Sequence, residues 1–316
     1  MSNVLVTGGA GFIGSHLVEH LLARGANVTI LDDFSSGKIE NLSQVTGHRN
    51  LHIVKGSVLD GEAVANVLKG VDTVFHLAAI VSVARSLEDP LMVNRVNMEG
   101  TLAVLEESRK ACVNRLVYAS SCAVYGNAEQ LPIKEETPLH PMNPYAASKT
   151  AGEHYAMVYQ RTYGMDIVCL RYTNVYGPRA GIGPYSGVMT KFAERLLDNQ
   201  PPVVFGDGEQ TRDFVYATDV AEATAQAAVS PQAIGLAINV GSGIATTINE
   251  LARIMAEVSG RRQLKALRTE PKLGEIRFSQ ADTNRARKIL GFESKVNLRE
   301  GVTNFLAWYA REELHR

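Results

Sequence analysis

The stretch Thr7-Gly8-Gly9-Ala10-Gly11-Phe12-Ile13-Gly14 decides the fold of this chain. It follows a short apolar strand predicted for Asn3–Thr7 and opens a helix predicted for Phe12–Arg24. Glycines at 8, 11 and 14 permit a tight turn, close backbone approach to a diphosphate and close packing of helix on strand. The free N–H groups and the dipole of the helix favour a negatively charged group at this turn. A glycine-rich turn without a ligand is the alternative interpretation.

Strands and helices alternate along the first half of the chain. Strands are predicted at Val28–Leu31, Leu51–Val54, Thr73–His76, Arg115–Ala119 and Ile167–Arg171, with helices at Gly61–Leu68, at Val93–Lys110 and from Pro144. Apolar strands that alternate with helices predict an α/β fold, a doubly wound, Rossmann-like parallel sheet covered on both faces.

Beyond Gly177 this alternation breaks down, which predicts a smaller, interleaved C-terminal domain. The sequence indicates a helix at Val188–Leu197, a strand at Val203–Phe205 and a helix after the capping box Thr247–Glu250. Two further strand-like pieces could return to the large sheet, Phe214–Tyr216 and Ile238–Val240. We therefore expect residues 1–176 and about 213–243 to form the Rossmann domain, and about 177–212 and 244–316 to form the second domain.

The composition is that of an ordinary globular protein. Of 316 residues, 45% are hydrophobic and 21% are charged, which argues against a disordered or low-complexity chain. A net charge of −1 argues against nucleic acid or an anionic membrane as the main partner. No apolar run reaches the ~20 residues of a membrane span, and no targeting segment is expected before the first strand. Three scattered cysteines indicate a reducing compartment, so we expect a cytoplasmic protein.

Asp32 follows the second predicted strand, where a carboxylate can accept hydrogen bonds from both hydroxyl groups of an adenosine ribose. Asp33, Phe34 and Ser35 come next, so no adjacent arginine is available to receive a 2′-phosphate. NAD is therefore favoured over NADP as the ligand. An aspartate that merely starts a turn is the alternative.

Tyr145 and Lys149 are i and i+4 neighbours in the opening turns of a helix that Asn143 and Pro144 begin. A phenol with a pKa near 10 acts as a base at neutral pH when positive charge favours its phenolate, and an ammonium and a nicotinamide both supply such charge. Ser121, at the end of the fifth strand, can hydrogen-bond the same substrate hydroxyl. We expect these three residues to be catalytic. An ordinary Tyr–Lys pair on an exposed helix is the alternative.

These motifs resemble the extended short-chain dehydrogenase/reductase family, and within it the NAD-dependent nucleotide-sugar 4-epimerases that act on UDP-glucose and UDP-N-acetylglucosamine. The likeness covers nearly the whole chain. Besides the glycine turn, its strings are Leu31-Asp-Asp33, His76-Leu-Ala-Ala79, Asn97-Met-Glu-Gly-Thr101, Ser120-Ser-Cys-Ala-Val-Tyr-Gly126, Tyr145-Ala-Ala-Ser-Lys149, Leu170-Arg-Tyr-Thr-Asn-Val-Tyr-Gly-Pro178 and Gly206-Asp-Gly-Glu-Gln-Thr-Arg-Asp213.

The resemblance implies bound NAD in the Rossmann domain, with Ser57 where the family usually has an aspartate. The residues it places around NAD are Gly8, Gly11, Phe12, Ile13, Gly14, Asp32, Asp33, Ser36, Gly37, Ser57, Val58, Leu77, Ala78, Ala79, Asn97, Tyr145, Lys149 and Tyr172.

It also implies a UDP-sugar in the second domain. Arg212 and Lys272 would contact the diphosphate, Lys272 in place of the usual arginine, although Arg212 could instead pair with Asp213. The remaining substrate residues it implies are Asn174 at a phosphate, Val188 and Phe205 at the uracil, Ser121 and Tyr145 at the reacting hydroxyl, and Ser82 beside the sugar. Ser279 takes the place of a tyrosine that, in glucose-restricted relatives, walls the C2 side of the hexose. A shift of one residue in this comparison would put Phe278 there instead.

Cys122 and Ala123 follow Ser121, where the 4,6-dehydratases that resemble this chain carry an acidic pair and the UDP-glucuronate decarboxylases carry a glutamate. Neither side chain replaces a carboxylate as an acid or base, which favours C4 epimerisation through a 4-keto sugar. A UDP-glucuronate 4-epimerase, another nucleotide-sugar oxidoreductase and a non-catalytic dinucleotide-sensing protein are the alternatives. No catalytic metal is expected, because the histidines show no ligand spacing. Relatives commonly form homodimers through helices near residues 97–111 and 147–162.

Overall fold

The computed structural model describes residues 2–183, 186–271 and 276–314. Its centre is a parallel sheet of seven strands in the order β10-β6-β5-β4-β1-β2-β3, so the predicted Rossmann-like fold is confirmed. The strand bounds are β1 Asn3–Thr7, β2 Asn27–Asp32, β3 Leu51–Lys55, β4 Thr73–His76, β5 Arg115–Ser121, β6 Ile167–Tyr172, β7 Asn174–Tyr176, β8 Val203–Phe205, β9 Thr211–Tyr216, β10 Ala237–Val240, β11 Ala245–Thr247 and β12 Leu267–Thr269.

Helices cover both faces of this sheet, and further helices pack together away from it. Their bounds are α1 Phe12–Ala23, α2 Gly61–Val67, α3 Val83–Glu88, α4 Pro90–Asn94, α5 Gly100–Lys110, α6 Pro144–Tyr163, α7 Val188–Leu197, α8 Ala217–Val229, α9 Ile248–Val258, α10 Asn284–Leu290 and α11 Leu298–Leu314. Short 3₁₀ helices lie at Ile39–Leu42, Cys122–Tyr125 and Pro231–Ala233. Two small sheets, β11-β9-β7 and β12-β8, complete the structure.

Three hydrophobic clusters hold these layers together. One packs α1, α8 and α10 on one face of the large sheet, and another packs α2, α5 and α6 on the other face. The third joins α7, α9 and α11 with β8 and β9, away from the large sheet. Because parallel strands bury both faces, their sequences are near-continuous apolar runs, as in Leu116–Ala119 and Ile167–Leu170.

Two predictions about these elements are wrong. The helix predicted over Val93–Lys110 begins earlier, at Pro90, because Asp89 caps it by accepting a hydrogen bond from the Met92 N–H. A π-helical turn at Arg95–Glu99 then separates α4 from α5. Of the two pieces expected to return to the large sheet, only β10 does so, beside β6; β9 pairs with β7 and β11 instead.

The described helices include none that combines the length and the apolar character needed to cross a membrane.

Candidate active site

The glycine turn brings β1, α1 and the segment after β4 into close contact. Gly8 has a φ of +72°, and a Cβ there would lie 2.8 Å from the Ala78 nitrogen. A Cβ on Gly14 would lie 2.1 Å from the Gly8 carbonyl oxygen. No side chain caps the start of α1, where Gly11 is the N-cap, so its first N–H groups remain directed at the space in front of the helix. This cradle fits a diphosphate, as the glycine spacing predicted.

Asp32 is fixed by the backbone around it. Its carboxylate accepts hydrogen bonds from the N–H groups of Ala10 and Phe34, both at 2.9 Å. Burial raises the pKa of Asp32, and these two hydrogen bonds oppose that shift. Asp32 therefore does stabilise a turn, as the alternative interpretation of this residue expected. This does not displace the predicted role, because Asp32 also lines the cavity in front of the glycine turn.

A buried histidine links the turn to the helices behind it. The Thr7 hydroxyl accepts a hydrogen bond from the Ala78 N–H and lies 2.7 Å from His76 Nδ1, to which it donates because Nε2 carries the ring proton. Thr101 donates its hydroxyl proton to the Asn97 carbonyl oxygen, so it accepts from His76 Nε2, at 2.9 Å. Burial lowers the pKa of His76 to about 3. The ring is thus a neutral Nε2–H tautomer that ties β1 and β4 to the start of α5.

Asn97, predicted to line the dinucleotide, lies behind the wall of the cavity. Its side chain donates to the Ile80 carbonyl oxygen at 2.9 Å and to Ser148 Oγ at 3.0 Å, and accepts from the Ile80 N–H at 2.8 Å. Ser148 in turn donates to the carbonyl oxygen of Tyr145. The π-helical turn at Arg95–Glu99 places this amide, which fixes the segment after β4 against α6.

Tyr145 and Ser121 meet where α6 begins and β5 ends. Asn143 caps α6 by accepting from the Ala146 N–H at 2.9 Å, which places Tyr145 in the first turn. Ser121 Oγ accepts from the Ala123 N–H, so its hydroxyl proton is available to the hydroxyl of Tyr145, with which it is hydrogen-bonded. Burial raises the pKa of Tyr145, and the hydrogen bond with Ser121 opposes this. The two side chains therefore form a ready path for one proton.

Lys149 is buried beneath this pair. Its Nζ donates to the Ala119 carbonyl oxygen at 2.7 Å and lies 5.0 Å from the centre of the Tyr118 ring. Burial lowers the pKa of Lys149 to about 7 and raises the pKa of Tyr145, so in the protein alone burial opposes the charged form of each residue. That this ammonium and a nicotinamide together favour the phenolate stays a prediction.

One cavity of about 1580 Å³ joins these groups. The predicted site residues that line it are Gly8, Gly11, Phe12, Ile13, Gly14, Asp32, Asp33, Ser36, Val58, Leu77, Ala78, Ala79, Ser121, Tyr145, Lys149, Tyr172, Asn174, Arg212 and Ser279. Predicted residues outside this lining are Gly37, Ser57, Ser82, Asn97, Val188 and Phe205. Gly37 still abuts Asp32, since a Cβ there would lie 2.9 Å from Oδ1. Lys272 lies outside the described residues.

Ser82, which the resemblance placed beside the sugar, directly precedes the short helix α3. Its Oγ accepts from the Arg85 N–H at 3.1 Å and so caps this short helix. The neighbouring apolar side chains Val81, Val83 and Leu87 line the cavity instead. This role could have been predicted from the sequence, because serine is a favoured N-cap residue and accepts a hydrogen bond from the backbone N–H three residues later.

At the second domain, Arg212 and Ser279 both face the cavity. Arg212 donates to the carbonyl oxygens of Thr211 and Ile276, at 2.7 and 2.8 Å. Asp213, on the opposite face of β9, accepts hydrogen bonds from Ser242, Gly243 and Ala281. The alternative surface pair between Arg212 and Asp213 therefore finds no support.

The register around Ser279 is fixed by hydrogen bonds to β9. Thr211 donates its N–H to the Arg277 carbonyl oxygen, and its Oγ1 accepts from the Ser279 N–H at 3.2 Å. Phe278 is 45% exposed and packs under the Arg277 guanidinium, whose carbon lies 5.5 Å from the ring centre. Ser279 therefore faces the cavity, and the shifted comparison that would place Phe278 there is not supported.

Sequence reasoning missed a further part of the wall. Residues 178–182, directly after β7, line the cavity together with Lys38, Asn143 and Thr173. Nothing in the local pattern of that irregular segment indicates contact with α1, which is far away along the chain.

Known proteins share this arrangement. Residues 4–241 match the model of the NAD dependent epimerase/dehydratase family. The UDP-glucose 4-epimerase of Mycolicibacterium smegmatis is 39% identical, over 96% of this chain and 97% of its own length. Among solved structures, the UDP-N-acetylglucosamine 4-epimerase of Methanobrevibacter ruminantium, in complex with UDP-N-acetylmuramic acid, superposes with a TM-score of 0.93 at 37% identity, over 98% of this chain and 99% of that one. The UDP-glucose 4-epimerase of Thermotoga maritima, with UDP-glucose, gives 0.92 at 37% identity over the same shares. The chain therefore belongs to the NAD-dependent epimerase/dehydratase family.

Proposed function

We propose that this protein is an NAD-dependent 4-epimerase of UDP-hexoses. It interconverts UDP-glucose and UDP-galactose through a transient 4-keto sugar, and it acts in the same way on UDP-N-acetylglucosamine and UDP-N-acetylgalactosamine. The glycine cradle, Asp32 and the Ser121–Tyr145–Lys149 group border one cavity, which supports hydride chemistry on a bound sugar. Asn174 and Arg212 at the same cavity suit a nucleotide diphosphate.

The observation that favours epimerisation over dehydration is the absence of a carboxylate beside Ser121. Within the described lining of the cavity, the carboxylates are Asp32, Asp33, Glu40 and Glu312. None of them comes from β5, α6 or the turn after β5. Asp32 ends β2, three strands from β5, which is about 14 Å at ~4.8 Å per strand. Removal of water from the sugar needs an acid and a base close to the reacting carbons.

Cys122, next to Ser121, does not replace that carboxylate. Its Sγ lies 3.3 Å from the Arg171 carbonyl oxygen, to which the thiol donates. Burial raises the pKa of this thiol well above its usual range, so it stays protonated. A thiol that stays protonated supplies neither the base nor the strong acid that a carboxylate pair would supply.

In the proposed mechanism the protein orients the sugar and moves one proton. Tyr145 takes the proton of the C4 hydroxyl, and Ser121 holds that hydroxyl by a hydrogen bond and relays the proton. Lys149 fixes the spacing of β5 and α6 beneath them. NAD, which the glycine turn and Asp32 would hold, would supply the transfer of a hydride from C4 of the sugar and back to it. Tyr145 then gives the proton back to the new C4 hydroxyl.

Ser279 supports acceptance of N-acetylated sugars, because a serine leaves room for a 2-acetamido group where a tyrosine would fill it. The pocket should still accept UDP-glucose, since a missing group in a pocket seldom costs more than ~1–3 kcal/mol. Lys272 stays a proposed diphosphate ligand, Val188 and Phe205 proposed uracil neighbours, and Ser82 a proposed partner of the acetamido group.

The test is to incubate the protein separately with UDP-glucose, UDP-N-acetylglucosamine and UDP-glucuronate and to resolve the C4 epimers by NMR. We expect the first two to be epimerised with no net growth of reduced-nicotinamide absorbance, because the hydride leaves and returns within one cycle. A rise of NADH in step with product would instead indicate a dehydrogenase. Turnover of UDP-glucuronate alone would identify a UDP-glucuronate 4-epimerase. NAD binding without turnover of any of the three sugars would favour a dinucleotide sensor.

We further propose that the protein is a cytoplasmic homodimer. The exposed apolar side chains of Leu91, Met92, Tyr155 and Val158, on the adjacent helices α4 and α6, support this face as the interface. The three cysteines are free, as a reducing compartment requires. The division into an NAD-binding part and a nucleotide-sugar-binding part is supported by the separate hydrophobic cluster of the second domain. Sedimentation of wild type and of Val158→Lys tests the dimer, since a lysine there should shift the protein toward monomer.

A further inference from the structure

Residues 178–182, here called the strap, follow β7 and cross the first turns of α1. The strap lines the cavity together with the residues of the glycine turn. His16 donates from Nε2 to the Pro178 carbonyl oxygen at 3.0 Å. Arg179 donates to Ser15 Oγ at 3.3 Å and to Glu19 Oε1 at 2.5 Å. Three neighbouring side chains of α1 therefore hold two adjacent residues of the strap.

The backbone of the strap is strained at the point of attachment. Arg179 has a φ of +70°, a left-handed conformation that residues other than glycine rarely adopt. Its side chain is 14% exposed and that of Glu19 is 26% exposed, so the ion pair is largely shielded from water. A strained conformation persists where the surroundings over-determine it, and such positions cluster at ligand clamps. The strap is thus held in place by α1 and does not merely rest on it.

These contacts join two different parts of the molecule. α1 belongs to the cluster on the large sheet and begins at the glycine turn. Ala180 and Ile182 of the strap pack against the cluster of the second domain. A dinucleotide whose diphosphate lies in the glycine cradle would therefore be bordered by α1 on one side and by the strap on another.

We propose that the contacts of Arg179 and Pro178 with Ser15, His16 and Glu19 form a latch that retains NAD between catalytic cycles. This proposal rests on the proposed function, in which the cavity holds NAD. An epimerase that returns the hydride to the same substrate has no need to exchange its cofactor, so slow release costs it nothing in turnover. Arg179 and Glu19 are positioning residues here: they hold the strap, and the strap borders the cofactor.

The experiment measures how fast bound NAD exchanges. Purified holoenzyme is mixed with excess isotopically labelled NAD, and the labelled fraction that stays with the protein is followed over time after rapid gel filtration. We compare wild type, Arg179→Gln, Glu19→Gln and the double variant. The matched control is Arg253→Gln, which removes an exposed ion pair with Glu257 on α9, in the second domain.

Each single variant should exchange NAD about tenfold faster or more, because each breaks a charge-assisted hydrogen bond that holds the strap. The double variant should exchange no more than about twofold faster than either single variant, since the two residues act as one pair. Arg253→Gln should exchange at the wild-type rate. A merely structural pair would lower the melting temperature and leave the exchange rate unchanged.

Wild-type exchange rates in both single variants would overturn the latch, as would rates that simply multiply in the double variant. If Arg179→Gln does not fold, Glu19→Gln carries the test, because it leaves the bond from Arg179 to Ser15 in place. Failure of the latch alone differs from failure of the proposed function: in the first case wild type holds NAD and epimerises, whereas in the second wild type does not epimerise. A wild type that does not hold NAD at all overturns both.

Discussion

Lys149 Nζ lies 2.7 Å from the carbonyl oxygen of Ala119, so the side chain of Lys149 joins α6 directly to β5. One turn further along α6, Glu153 accepts a hydrogen bond from Ser120 Oγ, also at 2.7 Å. Two successive residues of β5 are thus fixed to two successive turns of α6. Ser121 comes next in the strand, so these two contacts lie directly before it along β5.

Tyr145→Phe should fold, retain its bound NAD and lose at least ~10²-fold in turnover, the usual contribution of general acid–base catalysis. The phenyl ring keeps the packing at the start of α6 and removes the hydroxyl that hydrogen-bonds Ser121. Turnover by NMR and NAD content after acid release are the measurements. The control is Tyr155→Phe, an exposed tyrosine of the same helix. Near-normal epimerisation by Tyr145→Phe would exclude Tyr145 as the base.

Lys149→Met should change how stability depends on pH in the NAD-free protein. Burial lowers the pKa of Lys149 from 10.5 to about 7, so between these two values the unfolded chain binds a proton that the folded chain does not. The free energy of unfolding of wild type should therefore rise with pH across this window relative to the variant. Denaturant titrations at a series of pH values measure the difference. Lys134→Met, at an exposed position, is the control. Parallel curves for wild type and Lys149→Met would contradict the lowered pKa.

Glu153→Gln should destabilise the protein by about 3–5 kcal/mol, the usual effect of leaving one member of a buried ion pair alone. Glu153 and Arg171 are 3% and 6% exposed, and Arg171 also donates to the hydroxyl of Tyr125. Urea unfolding is the measurement. Adding Arg171→Met to the first variant should recover part of the loss, because the unpaired charge is then removed. Asp207→Asn, which breaks an exposed pair with Arg277, should shift the unfolding midpoint much less.

Ser279→Tyr should abolish turnover of the 2-acetamido sugar and leave turnover of UDP-glucose largely intact, because the larger side chain fills the space beside C2. The two substrates are compared by kcat/KM under the same conditions. Phe278→Tyr is the matched control, since that ring lies outside the cavity lining and should alter neither substrate. If Ser279→Tyr loses turnover of both substrates equally, or if wild type does not turn over the acetamido sugar, Ser279 does not form the wall beside C2.

The sequence predicted the large sheet and most of its strand bounds because most of its strands are buried apolar runs between turn residues, as at Asn3–Thr7 and Thr73–His76. It also predicted Ser121, Tyr145 and Lys149, because β5 ends and α6 begins beside them. Asn97 was misplaced because its direction depends on a π-helical turn that periodicity does not encode. The strap was missed for a similar reason: its contacts with Ser15 and Glu19 join segments that are distant along the chain.

The position of β10 has a consequence for the synthesis of this chain. β10 is the outermost strand next to β6, yet β7, α7, β8, β9 and α8 lie between them in sequence. While the chain emerges from the ribosome, β6 therefore stays an open edge until residues 237–240 appear, and open edges attract other strands. A fragment that ends before β10 should be aggregation-prone, even though it contains the glycine turn and the entire catalytic group. The nascent chain thus needs protection over the interval between the synthesis of β6 and that of β10.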